Sequence, residues 1–175
     1  MTATTRPGYI AGTWVLDPTH SEITFSVKHL AISKVRGRFE KFDLTIVTAT
    51  RPEDSTITAT IDVASVNTGQ KARDDHLRTS DFFLVEKYPT ITFASHGIAF
   101  IGDEGFTVDG DLTMRGVTLP VRLSGELGGV VTDEYGRTKA GATATTVLNR
   151  NDFGVSWNAA LEAGGFTLGD DVNVN

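Results

Sequence analysis

The 175-residue sequence contains no cysteine, which excludes disulfides, zinc–thiolate sites, iron–sulfur clusters and cysteine nucleophiles. It has no excess of basic charge. The net charge is −6 and the isoelectric point is near 5.1. That balance argues against nucleic acid as the main partner, and against an anionic membrane unless positive charge is gathered locally. No apolar run approaches the length of a membrane span. The opening MTATTRPGYIAGTWVLD has no basic stretch leading into an apolar one, and Thr2 stands where a myristoylation signal needs glycine. The expectation is a soluble, cytoplasmic protein with no stable membrane insertion. Repeats and dividing linkers are absent, so residues 1–175 read as a single domain.

Catalytic motifs are also missing. No G-x-S-x-G elbow occurs, and the serine of RLSGE lies in strand-like sequence. His20, His29, His76 and His96 are scattered, with no H-x-x-x-H or H-E-x-x-H pair. In RDDHL, the adjacent Asp74, Asp75 and His76 splay about a helix axis and chelate poorly. GDEGFTVDGD lacks the spacing of a calcium loop, and no P-loop or G-x-G-x-x-G occurs. No metal and no cofactor is expected. Trp14 and Trp157 have no interleaved Arg or Lys to make them base-stacking platforms, so packing is their default role.

What the sequence does have is period two, punctuated by glycine. Strands are expected at 13–16 and 22–30, then in GRFEKFDLTIV with a bulge or bend near Glu40 and Lys41, and in STITATIDVAS and TITFASHGIAF. GFTVDGDLTM, VTLPVRLSGEL and GATATTVLNR continue the pattern. Residues 67–89 break it and make the best helix candidate. Asn67 or Thr68 is expected as its cap, Asp74 and Arg78 as an ion pair, and Phe82 and Phe83 as its anchor on the sheet. The fold class is all-β: an antiparallel sandwich or, as small inward positions favour, an antiparallel barrel of about eight strands with one short helix. The last segment, LGDDVNVN, starts to alternate and stops, as a trimmed final strand would.

In ITFSVKHL, Ile23, Phe25, Val27 and His29 share one face of a strand. Other inward positions are small: Ala59, Ala142 and Ala144. Unfilled apolar volume costs roughly 24 cal/mol per Å³, so such an interior calls for an occupant, unless Phe25, Phe39, Phe42 and Phe93 fill it themselves. His29 is then either a rim histidine bonded to backbone or carboxylate, or a polar anchor for a ligand.

The run TWVLDPTHSEITFSVKHL, the VRGRF at 35–39, ASVNTGQKARDDHLRTSDFF, YPTITF, GDLTMRGVTLPV, RNDFGV and LGDDVNV follow in one order along nearly the whole chain. Together they resemble the YceI-like polyisoprenoid-binding family. That resemblance implies a lipocalin-like barrel beside a helix, holding a long isoprenoid (a polyprenyl chain or isoprenoid quinone) for transport, storage or protection, and no enzymatic reaction. The lining positions would be Ile23, Phe25, Val27, Phe42, Leu44, Ile61, Phe93, Leu112, Met114, Leu119, Val121, Ala142 and Ala144. His29, Arg36 and Arg73 would meet the polar head. A homodimer is compatible with the pattern. Two other readings stand beside it: an enzyme acting on a lipid or quinone with His29 as general base, and a packed barrel that works through its surface loops.

Overall fold

Alternating polarity leaves each longer segment one apolar face, and pairing edge to edge is how such segments satisfy their backbone groups. In the computed structural model, which describes residues 8–175, the strands are β1 (Gly12–Val15), β2 (Ile23–His29), β3 (Ser33–Phe39), β4 (Phe42–Thr48), β5 (Thr56–Asp62) and β6 (Val66–Asn67). Helix α1 (Lys71–Leu77) follows, then β7 (Thr90–Ile101), β8 (Gly105–Met114), β9 (Val117–Thr132), β10 (Thr138–Asn149) and β11 (Leu168–Val174). The expectations about Met1 and Thr2 lie outside the described residues.

All pairings are antiparallel, in the order β1-β4-β5-β7-β8-β9-β10-β11-β2-β3-β6. Eleven segments make eight staves, because β1–β2, β3–β4 and β5–β6 are each one stave bent at a corner. Asp62 N–H to Lys41 O (2.9 Å) and Glu40 N–H to Ser65 O (3.2 Å) carry the pairing around one such corner. The phase change at Glu40–Lys41 is therefore a sheet corner. This is the expected barrel, with a higher segment count.

One end of the barrel is plugged. The chain after α1 and the turn at 150–153 bring Phe82, Phe153 and Val155 against Phe39, Val63, Val66, Ile91 and Met114. Phe82 is the buried anchor and Phe83 packs half-buried beside it. The cap differs from expectation. Gln70 is the N-cap and makes no side-chain bond, while the buried Asp74 carboxylate reaches back to accept from Thr68 N–H (2.8 Å) and Oγ1–H (2.6 Å). With Asp74 so engaged, Arg78 pairs with Asp75 at 3.0 Å. The other end carries the β7–β8 and β9–β10 hairpins.

Candidate ligand-binding interior

Directly opposed residues in a sheet share a face, so the register alone assembles the interior. Leu44, Ala59, Phe93, Leu112 and Leu119 form one unbroken row across β4, β5, β7, β8 and β9. Phe42, Ile61 and Ile91 form the next row. Across β10, β11, β2 and β3 the row is Leu148, Val172, Val27 and Val35. Ile23 faces Phe39, Phe25 faces Gly37 and Val174, Met114 faces Val117, Val121 faces Gly110, and Ala144 faces Gly125. Ala142 continues the same face to Leu127, where both are exposed at the hairpin end.

This face is apolar but incompletely packed. Phe93 and Met114 are buried, whereas Phe25, Val27, Leu44, Leu112, Leu119 and Val121 are half-buried despite facing inward. Among the described residues, the large side chains that lose all exposure are Val63, Val66 and Val108. The phenylalanines are folded flat against the wall. A Cβ at Gly110 would lie 2.5 Å from Phe93 Cζ, and one at Gly125 would lie 2.5 Å from Phe106 Cζ. The Phe25 ring covers Gly37 in the same way. Glycine in the neighbouring strand lets each ring lie over the wall, where Phe93 and Phe106 are themselves buried and Phe25 stays half-buried.

The wall is split at one place. The β9–β10 ladder stops at Ser124–Thr145, after which β10 pairs with β11 instead. A slot of about 330 Å³ opens there, between Leu119 and Val121 on one side and Leu148 and Phe153 on the other. A larger groove of about 1070 Å³ runs mainly along the outside, past Arg36, Arg38, Arg122, Ser124, Thr145 and Asn173. Its lining is mixed, because the inward Phe25, Gly37 and Val174 border it as well.

The three residues assigned to a polar head do not converge. His29 ends the inward row of β2 and its ring has no hydrogen-bond partner among the described residues. Arg36 alternates with the inward Val35 and Gly37, and so faces outward. Arg73 lies on α1 and donates to Thr68 Oγ1 (2.7 Å) and Thr68 O (2.8 Å). Sequence reasoning missed Phe106, Val172 and Val174 as lining positions, although their alternation marks them. It also missed Arg150. That guanidinium is buried and holds the closing loop by donating to Gly169 O (2.8 Å), Val155 O (2.7 Å) and Trp157 O (2.9 Å). Burial pulls its pKa below the ordinary arginine value. No spacing rule identifies such a residue, because its acceptors are backbone carbonyls.

Apart from Arg150 and Asp74, the charged side chains among the described residues are not buried. Asp17 accepts from His20, which with Thr19 N–H and Lys139 lowers its carboxyl to about 2 and ties the β1–β2 corner to β10. Among the described residues no cluster of three His, Asp or Glu is placed to hold a metal ion, and no helix is long and apolar enough to cross a membrane.

The sequence model of the YceI-like domain matches residues 14–175. The chain belongs to the YceI-like family. A UPF0312 protein of Staphylococcus aureus strain MSSA476 is 38% identical to it over 162 residues, 91% of each chain. The crystal structure of Burkholderia cenocepacia BcnA matches this YceI-like barrel with a TM-score of 0.76 at 23% identity, over 90% of this chain and 94% of that one. A polyisoprenoid binding domain from Saccharophagus degradans, implicated in plant cell wall breakdown, matches with a TM-score of 0.67 at 19% identity, over 94% and 95%. At those identities the two structures establish the YceI-like fold and nothing more.

Proposed function

We propose that this protein binds a long-chain isoprenoid lipid, of the polyprenyl or isoprenoid-quinone type, inside the barrel and carries, stores or protects it without transforming it. The observation that carries this reading is the inward face of apolar residues left half-buried, with the Phe25, Phe93 and Phe106 rings pressed onto the wall over glycines. The fold shared with a polyisoprenoid binding domain supports the same class of ligand. Burial of hydrocarbon at about 0.8 kcal/mol per CH₂ makes each five-carbon unit worth on the order of 3–4 kcal/mol before ordering costs. Several buried units are then needed to offset the ordering costs and reach micromolar binding, and chain length outweighs head chemistry.

Titration with a series of prenols of increasing length tests the reading. The expected result is an affinity that rises with each unit until the interior is full, with little dependence on salt. Ala144→Phe, which fills the interior, is expected to lower affinity at least tenfold while thermal unfolding remains cooperative. Affinity indifferent to chain length would overturn it.

A further inference from the structure

The β2–β3 hairpin departs from the rest of the molecule. In a chain of net charge −6, residues 23–39 carry Lys28, Lys34, Arg36 and Arg38 and no carboxylate. Lys28 and Lys34 are directly opposed in the ladder, an arrangement that is repulsive. Both are exposed, and neither they nor Arg36 have an ion-pair partner among the described residues; Arg38 pairs with Glu40 at 3.0 Å. The nearest acidic side chains on the adjacent strand are those of Asp170 and Asp171, and Asp170 is engaged by Asn151 at 2.9 Å.

Beyond the lysines the tip is apolar. Leu30 and Ala31 hold φ values of +54° and +58°, a conformation that suits glycine or asparagine and strains an ordinary residue. Ile32 is 87% exposed, the highest value among the large apolar side chains. Leu30 N–H bonds to Thr167 O at 2.8 Å, which seats the tip beside the exposed Phe166. Strain, like-charge opposition and bare hydrocarbon thus coincide in one turn. Apolar side chains at a projecting tip with unpaired lysines one step behind complement a bilayer whose head groups are anionic.

We infer that the β2–β3 tip is a peripheral docking element for anionic phospholipid membranes. Leu30, Ile32 and Phe166 enter the interfacial region, and Lys28, Lys34 and Arg36 meet the head-group phosphates. This goes beyond lipid binding in the interior and does not depend on it.

Sedimentation of the full chain with vesicles tests the inference. One set is pure phosphatidylcholine and the other contains roughly one-third phosphatidylglycerol, a content that raises the pull on each cation near the surface. The protein is expected to sediment with the anionic vesicles, to release at high salt, and to stay in solution with the neutral ones. Lys28→Ala with Lys34→Ala is expected to weaken partitioning about 30-fold. Ile32→Ser is expected to weaken it at least tenfold, and Leu30→Asn to weaken it while raising the melting temperature. Ile32→Ser lies at an exposed position, so it tests the inference even where another variant fails to fold. No sedimentation, equal binding to neutral vesicles, or variants that bind like the parent would each overturn it. Self-association lost on Ile32→Ser, without vesicle binding, would assign the tip to a second copy and overturn it too.

Discussion

Three phenylalanines determine how much room the barrel interior has, and three glycines determine where those rings lie. At Gly110 a new Cβ meets both the Phe93 ring and the Ala94 carbonyl, which is 2.6 Å away and belongs to the backbone. Gly110→Ala therefore has no easy relief. It is expected to destabilise the fold by about 1–3 kcal/mol, read as a lower denaturant midpoint. At Gly37 all three atoms crowding a Cβ belong to the half-buried Phe25 ring. Gly37→Ala is expected to swing that ring inward, with a smaller loss of stability and a reduced capacity for long ligands. Equal effects of the two substitutions on stability would contradict this account of the wall. These pairings are only half legible in a sequence. Alternation marks Phe25, Phe93 and Phe106 as inward, but which glycine each ring covers depends on register across strands.

At the scale of elements, the chain entering α1 is held by one carboxylate from inside the helix. Asp74 accepts two bonds from Thr68 and is buried, so Asp74→Ala strands the Thr68 donors. A loss of about 1–3 kcal/mol is expected by thermal or denaturant unfolding, with faster hydrogen exchange along Lys71–Leu77. An unchanged stability would mean that water replaces the carboxylate. Strands were readable from period two because one face of each is inward and the other wet. The helix was readable as the long break in that period. Its cap was not. Asn67 and Thr68 have the right chemistry for a cap, yet the helix begins later, and Asp74 satisfies the approach from inside its first turn. At Glu40–Lys41 alternation shows a one-residue slip that a corner and a bulge produce alike, so the sequence leaves both open there and the pairing shows a corner.

The whole molecule is a rolled antiparallel sheet, plugged at one end and edged by long hairpins at the other. Which side chains of a strand share a face is legible in the sequence, because a barrel turns strand alternation directly into inside and outside. The polar end of the site was not. His29, Arg36 and Arg73 are close in type but lie on an inward row, an outward row and a helix, and sequence distance carries no information about which faces meet. The central claim is that the interior holds a long isoprenoid. The most direct measurement is mass spectrometry of an organic-solvent extract of protein purified without detergent. The account predicts an isoprenoid or isoprenoid quinone in near-stoichiometric amount. A blank extract, repeated with protein from a second expression host, would contradict it.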